Sequence, residues 1–494
     1  MWNLVGDLAG AVTSAAGAVT SGLTGRVWDD GEGNVDELNK SMAGADLNKG
    51  PTGEAHPDEK AIQEAKSSMF NMATVREYVG ADVLSLLSVP VFIMEPMSML
   101  QKMGEVLEYA ELLDAADAAA DPLERMALVA TFLVAPFGAA ERAWKPFNPM
   151  LGETFELEGL GKDKDGRFFA EQVTASPPVG VAHSESPRWQ YDIVSAPKTR
   201  FLGNYLEVFP NGRTRIKLLG SGETYTHVPP NVKVHNLVLG RTWIDAEGEF
   251  YVYCPESGVK CVLNFTPCGW FNAGRYEFAG HVIDKGGVKR LHLSGLWSSH
   301  LDAAECGPDG ELLPDAPRRR LWTCRPKPED DYYGMTHFAR QLNTCADLRL
   351  PPLPSDSRRR PDREALAGRH LPRAAAEKGR LEAAGHADAA RREEVGSQWA
   401  PRWFEPEEGA QLLPGELDTD CVPAWRWKAG GFERLDGLLE AGADEASAKL
   451  QQEAGADGQA VPDAAVCGRG FAPWEFPELH AHLQQHEDAS AHVQ

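Results

Sequence analysis

Residues 144–156 combine side chains that could bind a polar group with residues that would hold them rigidly; their sequence is W-K-P-F-N-P-M-L-G-E-T-F-E. Lys145 and Asn148 supply a cation and an amide, and the two prolines restrict the backbone around them. A rigid polar patch beside an apolar run suits an amphiphile whose head stays at the rim while its body is buried. On residue types alone, however, the favoured interpretation is a corner of the chain at which Lys145 is simply exposed.

Motifs for catalysis or for metal binding are absent from the sequence. It contains no G-x-S-x-G, no P-loop, no G-x-G-x-x-G and no H-E-x-x-H. Carboxylates are too widespread for any two to be singled out as an acid–base pair. His480, His482 and His486 could in principle share a metal ion, but a solvated polar tail is the favoured interpretation. We therefore predict a protein that is not an enzyme, with no catalytic residue, metal or cofactor.

The composition narrows the classes of partner. The chain has 494 residues, a formal charge of −24 and 43% hydrophobic residues, so it can bury a large core. An acidic total argues against nucleic acid, because phosphate binding needs a basic face. It does not exclude anionic membranes, since a local basic rim can oppose the net charge. The eight cysteines form no C-x-x-C pair, and we interpret them as reduced thiols of a cytosolic protein.

The N-terminal region contains neither a predicted spanning helix nor a secretory signal. No apolar run approaches the roughly 18 residues that a spanning helix needs, and a basic region is missing from the start of the chain. Residues 1–30 repeat apolar side chains every three or four positions, opposite a face of Gly, Ser and Thr. This pattern predicts either an amphipathic helix that senses loosely packed membranes or a plain leader, and both remain open. Residues 31–60 are predicted to be a linker.

Helices are predicted over residues 61–143. Residues 121–124 (D-P-L-E) have the order of a helix start, with an N-cap acceptor, a proline at the first position and a glutamate. One apolar face follows, which predicts that this helix packs against other elements: Leu128, Val129, Phe132 and Leu133. Upstream, residues 84–97 are too apolar and too rich in proline for an exposed helix. They are expected to line or cover a cavity, and the tunnel or lid candidates are Val91, Phe92, Ile93 and Met94.

Short strands joined by tight turns are predicted over residues 144–325. Residues 205–209 and 213–218 flank a Pro-Asn-Gly turn, which favours a hairpin between them. Residues 241–245, 249–254 and 258–265 repeat the arrangement. Many such strands indicate a meandering antiparallel sheet, which closure into a barrel would protect by removing its exposed edges.

The last third of the chain is predicted to be charged and helical, and then poorly ordered. Residues 355–395 contain ten Lys or Arg among eight acidic residues, and this mixture predicts a solvent-facing helix. Residues 434–494 are rich in Ala, Gln, Glu and Gly and are predicted to be a poorly ordered tail.

Residues 145–156 resemble the K-P-F-N-P-L-L-G-E-T-F-E motif of oxysterol-binding-protein-related lipid transfer proteins. Residues 171–178 (E-Q-V-T-A-S-P-P) occupy the place of the family's E-Q-V-S-H-H-P-P signature. Further segments similar to the family follow in order at 234–240, 260–271, 331–336 and 357–362. The resemblance covers about residues 68–433, and the chain is identified as a short form of this family with a degenerate signature.

The resemblance implies an α+β fold: a large, near-closed antiparallel β-barrel around a lipid tunnel, with an N-terminal lid and helices and a C-terminal helical subdomain. Within a lipid-binding domain at 61–433 it implies lid and helices at 61–143, barrel at 144–325 and a helical part at 326–433. Family members bind a sterol or phosphatidylserine, and many exchange it for phosphatidylinositol 4-phosphate. By resemblance, the residues expected to contact the lipid headgroup are Lys145, Asn148, Ser176, Lys378, Glu382 and His386.

Departures from the family pattern weaken the predicted phosphoinositide site. Ala175 and Ser176 replace the paired histidines, and His386 stands where the K-x3-E-x3-R element has arginine. Hydrogen bonds to a charged group contribute roughly 1.5–3 kcal/mol each, so losing two would weaken headgroup binding by about 10²–10⁴-fold. Burial of an apolar lipid body, at about 25 cal/mol per Å², does not depend on them. We therefore predict weak or absent exchange of phosphatidylinositol 4-phosphate.

The sequence thus predicts intracellular binding of a sterol or another neutral-headed lipid and its transfer between membranes. The alternative is a lipid sensor or adaptor that binds lipid without transferring it. Expected partners are membrane surfaces and one lipid, with a sterol favoured over phosphatidylserine or a phosphoinositide, and no nucleic acid. The protein is expected to be a cytoplasmic monomer, peripherally associated with the endoplasmic reticulum, the Golgi or other organelle membranes.

Overall fold

The computed structural model describes residues 90–440, except 238–241, 346–347, 349, 351, 408–409 and 417–423, together with 470–471 and 473–474. The amphipathic segment predicted at 1–30, the linker at 31–60, the first part of the predicted lid and most of the predicted tail lie outside the described residues. So do the three C-terminal histidines.

The described strands are short, and most of them fall between residues 145 and 323. They are β1 (Met94–Ser98), β2 (Lys145–Phe147), β3 (Thr154–Leu160), β4 (Gly166–Ala175), β5 (Pro178–Glu185), β6 (Trp189–Ser195), β7 (Lys198–Phe201), β8 (Tyr205–Phe209), β9 (Gly212–Leu218), β10 (Thr224–Val228), β11 (Asn231–His235), β12 (Trp243–Tyr253), β13 (Lys260–Phe265), β14 (Glu277–Ile283), β15 (Lys289–Leu296), β16 (His300–Glu305), β17 (Arg319–Thr323), β18 (Phe404–Pro406) and β19 (Trp425–Trp427).

Apart from a helical stretch at residues 431–440, the described helices precede and follow the main run of strands, β2 to β17. They are α1 (Met99–Glu105), α2 (Glu111–Ala118), α3 (Pro122–Val134), α4 (Phe137–Ala140), α5 (His337–Gln341), α6 (Pro361–Ala367) and α7 (Leu371–Glu394). Short 3₁₀ turns occur at Val91–Ile93, Val106–Tyr109, Trp270–Asn272 and Ser357–Arg359.

The main sheet contains fifteen of the described strands and is antiparallel throughout. Its hydrogen-bonded path is β17–β16–β15–β14–β13–β12–β10–β9–β6–β5–β4–β3, with β11, β8 and β7 branching from β12. Helix α1 contacts β3, β4 and β5, α2 contacts β6 and β9, and α3 contacts β13, β14, β15 and β17. The helices thus contact strands from one edge of the sheet to the other, and the two edge strands, β3 and β17, do not pair with each other among the described strands. The predicted α+β fold with a near-closed antiparallel barrel is confirmed.

Two of the predicted hairpins are wrong. β8 and β9 do not pair with each other: β8 pairs with β7 and β11, whereas β9 pairs with β6 and β10. At the start of β9, Gly212 pairs with Ser195, and a Cβ at this glycine would lie 1.8 Å from the Val194 carbonyl oxygen. Gly212 therefore serves a close strand approach rather than a two-residue turn. The strands predicted at 241–245 and 249–254 are one strand, β12, which pairs with β11 near its start and with β10 near its end.

Helix α3 begins where the sequence predicts. The Asp121 carboxylate accepts a hydrogen bond from the Leu123 amide at 3.0 Å, and Pro122 occupies the first helical position. The predicted apolar face is buried in the main core, with Phe132 in edge-to-face contact with Tyr191. Residues Pro122–Ala140 are apolar and long enough to span a bilayer, but 61% of the most apolar window is buried inside the protein. This segment, which comprises α3 and α4, is therefore part of the protein core.

In the C-terminal part, the structure differs from three predictions made from the sequence. The charged helix predicted at 355–395 is two helices, α6 and α7, separated at Arg369, which has a φ of 59°. Residues 431–440 are helical, so order continues past the boundary at residue 433, and Leu435 and Leu439 are buried. Cys345 is disulfide-bonded, contrary to the interpretation of all cysteines as reduced thiols, and five described cysteines are free.

Candidate functional site

Strand β2 positions Lys145 and is anchored by the residue that ends it. β2 runs parallel to β1, with Met94 opposite Lys145 and Ser98 opposite Phe147. Phe147 is fully buried in an apolar cluster with residues of β1, α6 and α7. Lys145 is half-buried, and its Nζ donates to Asn148 Oδ1 at 2.7 Å. The lysine and the amide predicted from the motif therefore contact each other.

A buried arginine holds the loop that follows β2. Arg360 Nη1 donates to the carbonyl oxygen of Asn148 at 2.9 Å and to Glu153 Oε2 at 2.8 Å. The same guanidinium binds Asp362 through Nε and Nη2, at 3.0 and 2.7 Å. Glu153 also accepts from the Met150 amide at 2.8 Å. The motif glutamate is therefore a structural residue, and Arg360 links the loop to α6.

Helix α7 brings two more predicted residues to the loop. Lys378 and Glu382 form an ion pair of 2.8 Å at helical spacing i, i+4. Farther along α7, a Cβ at Gly385 would lie 2.6 Å from Met150 Cε, so the helix crosses the loop closely. Together β1, β2, the loop and α7 enclose a cavity of about 70 Å³, lined by residues that include Met94, Lys145, Asn148, Arg360, Lys378 and Glu382.

Positive charge dominates this cavity, which we call the cation-lined cavity. Three cations, Lys145, Lys378 and Arg360, line it together with one carboxylate, Glu382. Burial, and then repulsion from Lys378, lower the pKa of Lys145 to about 7, and Glu382 opposes the shift. An anion in the cavity would restore the charge of the lysine, because an opposite charge favours the protonated amine. The cavity can therefore accept a small anionic group.

The remaining predicted headgroup residues do not line the cavity. Ser176 lies in the exposed turn between β4 and β5, directly after Ala175, the exposed last residue of β4. His386 follows Glu382 by one helical turn on α7 and is exposed. The structure thus brings together four of the six predicted headgroup residues: Lys145, Asn148, Lys378 and Glu382.

Of the predicted lid residues, some pack in an apolar cluster and one lines the cation-lined cavity. Val91 and Phe92 lie in a 3₁₀ turn and are buried against α6 and α7, in the cluster that contains Phe147. Ile93 is half-buried beside the same cluster. Met94 lines the cation-lined cavity. In the described part of the chain, Val91 and Phe92 therefore anchor β1.

Sequence reasoning missed Arg360 as a site residue, although a signal was present. Three arginines, Arg358, Arg359 and Arg360, stand in a row before Pro-Asp. In the structure Arg358 and Arg360 are buried. Buried arginines require partners of opposite charge, and Glu153 in the motif was available. Among the described residues, no group of three or more His, Cys, Asp or Glu could hold a metal ion.

The chain is similar to characterised proteins over most of its length. The family model described as Oxysterol-binding protein matches residues 70–434. Oxysterol-binding protein-related protein 3B of Arabidopsis thaliana is 37% identical over 420 residues, which cover 84% of this chain and 88% of the relative. The Osh1 ORD domain, solved in complex with ergosterol, matches with a TM-score of 0.66 and 29% identity, over 81% of this chain and 93% of that chain. The Osh3 ORD of Saccharomyces cerevisiae, solved in complex with PI(4)P, matches with a TM-score of 0.61 and 27% identity, over 74% of this chain and 92% of that chain.

Proposed function

This chain belongs to the oxysterol-binding protein family, and we propose that it binds one lipid in its barrel and carries it between membranes without catalysing a reaction. The observation that carries the proposal is the likeness, over 81% of the chain, to a domain that holds ergosterol. An apolar interior next to a polar cavity suits an amphiphile. We propose a sterol or another neutral-headed lipid as the cargo.

Three features of the cation-lined cavity support weak binding of phosphatidylinositol 4-phosphate. Arg360 already donates to three partners, so it has little capacity left for a phosphate. Lys145, with a pKa of about 7, is only partly charged at neutral pH. The cavity volume of about 70 Å³ is several-fold below the ~300 Å³ typical of small-molecule pockets. These features favour contact with one phosphate group rather than enclosure of an inositol ring.

The end of β4 and the turn that follows it support the same proposal. Ala175 has no polar side-chain atom, and Ser176 offers a single hydroxyl where the family pattern has an imidazole. Without two charge-assisted bonds, we propose that the phosphoinositide exchanges slowly or not at all. The protein would then act in the cytoplasm as a monomer that visits organelle membranes, with its direction of transfer set by the cargo gradient.

Transfer of a fluorescent sterol between two vesicle populations tests the proposal. We expect sterol transfer above the spontaneous rate, with no acceleration when phosphatidylinositol 4-phosphate is added to the acceptor vesicles. Acceleration would contradict the weak-exchange proposal. Sterol binding without transfer would instead identify the sensor or adaptor function.

Native mass spectrometry of the purified protein identifies the cargo directly. We expect one sterol or one neutral-headed lipid per chain. A purified protein without lipid, and without uptake of sterol or phospholipid from vesicles, would refute the carrier and the sensor together.

A further inference from the structure

The connection between β13 and β14, residues 266–276, carries two unusually exposed aromatic side chains. Trp270 is 89% exposed and Phe271 98%, whereas the other exposed large hydrophobic side chains among the described residues are 36–43% exposed. Keeping this much apolar surface in water is unfavourable, and adjacent exposed aromatic residues mark interaction sites more often than scattered single ones do. We call Trp270 and Phe271 the aromatic tip.

The aromatic tip belongs to an ordered loop. Gly269 N donates to the Ala273 carbonyl at 2.8 Å, and Thr266 N donates to the Glu277 carbonyl at 2.9 Å. Cys268 N donates to the buried Asp245 carboxylate at 2.8 Å. Phe271 has a φ of 57°, which is uncommon for a bulky residue and costs energy. The backbone is therefore fixed in a form that exposes both rings.

A cation lies between two aromatic rings at the base of the tip. The Arg275 guanidinium stacks over Trp243 at 5.0 Å and over Tyr276 at 4.6 Å from the ring centroids. Among the described residues, no carboxylate forms an ion pair with it, and its Nε lacks an acceptor. Trp and Tyr concentrate where a membrane meets water, and an arginine at that level can bind lipid phosphate. An apolar tip above an aromatic and cationic base fits the layers of a bilayer surface.

The aromatic tip and the cation-lined cavity lie towards the same end of the sheet. Tyr276 makes an edge-to-face contact with Trp297, which lies in the turn between β15 and β16 beside the tip, and their ring centroids are 4.5 Å apart. A Cβ at Gly138 of α4 would lie 3.6 Å from the Trp297 carbonyl oxygen, and the chain leads from α4 directly to Lys145. A membrane that receives the tip would therefore lie near the cavity.

We infer that the aromatic tip inserts into the interfacial layer of a lipid bilayer and docks the barrel with its cation-lined cavity towards the membrane. The inference deepens the proposed carrier function and rests on it. Insertion supplies binding energy that the net charge cannot, because a formal charge of −24 opposes approach to an anionic surface. Docking through the tip should accordingly depend little on salt, in contrast to attachment through surface lysines.

Substitution of the tip tests this inference in vesicle flotation with the full chain. The variant W270S/F271N removes both rings, and Asn tolerates the left-handed backbone at 271. The control L219S/L313S removes two leucines, 40% and 43% exposed, from turns at the opposite end of the sheet. On vesicles of phosphatidylcholine with phosphatidylserine, we expect the tip variant to bind at least about 10-fold more weakly, or about 1.4 kcal/mol, and the control to match the wild type.

A second readout reports the position of the tip. Lipids with brominated acyl chains should quench part of the tryptophan fluorescence of the wild type, and W270F should lose that part. Unchanged flotation of the tip variant, or equal losses in tip variant and control, would overturn the inference. Sterol binding measured on protein without vesicles reports the carrier function separately. A tip variant that binds sterol but not vesicles supports the tip, whereas a wild type that docks without holding any lipid refutes only the carrier.

Discussion

Introducing histidines at positions 175 and 176 should create a phosphoinositide site in this chain. Both positions are exposed, the first at the end of β4 and the second in the turn that follows, so A175H/S176H displaces no core side chain. Lys145 and Lys378 already line the cation-lined cavity and would supply the other contacts to a phosphate. The substitution therefore adds polar contacts without altering the barrel.

The size of the gain follows from the number of new bonds. Each hydrogen bond to a charged phosphate contributes roughly 1.5–3 kcal/mol. Two imidazoles should therefore improve affinity by about 10²–10⁴-fold if both reach the ligand. One imidazole alone should give about 10–150-fold.

The assay is competition between phosphatidylinositol 4-phosphate and a bound fluorescent sterol, with vesicles as the lipid source. The gain in affinity should disappear in A175H/S176H/K145A, because the two histidines and Lys145 must bind the same phosphate. The control A115H/A118H places two histidines on exposed positions of α2 and should show no gain. If A175H/S176H binds no better than the wild type, or if the gain survives K145A, the turn and the cavity do not form one site.

Three further predictions follow from charge and burial. Lowering the pH from about 8 to about 6 should strengthen binding of an anionic headgroup, since Lys145 with a pKa of about 7 becomes protonated. Calorimetry should show a smaller effect of pH on headgroup affinity in K145R. An equal effect in K145R would contradict the role of Lys145. Arg360→Leu should lower the free energy of unfolding in urea by about 3–5 kcal/mol, because it strands two buried carboxylates; the exposed Arg426→Leu should change it by less than about 1 kcal/mol. Burial lowers the pKa of His227 to about 3, so the unfolded state alone takes up a proton as the pH falls from about 6.5. Wild-type stability should therefore drop over that range, and thermal unfolding of H227F should show a flatter pH profile.

The sequence predicted correctly those features of the fold that depend on residues close together in the chain. The start of α3 follows from Asp121 and Pro122, whose cap and fixed φ act within one helical turn. Strand pairing depends on distant residues instead. Gly212 looks like a turn glycine in sequence, but its role is set by the backbone of β6, seventeen residues upstream at Ser195. The hydrophobic periodicity of a segment and the type of its turns do not show which strands lie side by side.

The candidate site was predicted in part for the same reason. The motif places Lys145 and Asn148 within four residues of each other, and the spacing of Lys378 and Glu382 puts them on one helix face. Arg360 enters the cavity only because its ion pairs fold the segment before α6 against the loop. Gly152 likewise has a φ of 76°, and a Cβ there would lie 2.4 Å from the Trp399 ring, a contact that no local pattern reveals.

The parallel pairing of β1 with β2 connects β1 directly to the cation-lined cavity. Met94 both pairs with Lys145 and lines the cavity. A displacement of β1 would therefore move Met94 and Lys145 together. Loading a cargo and admitting an anion would then be linked events rather than independent ones. Amide exchange at β1 and β2 that is identical with and without bound lipid would uncouple them.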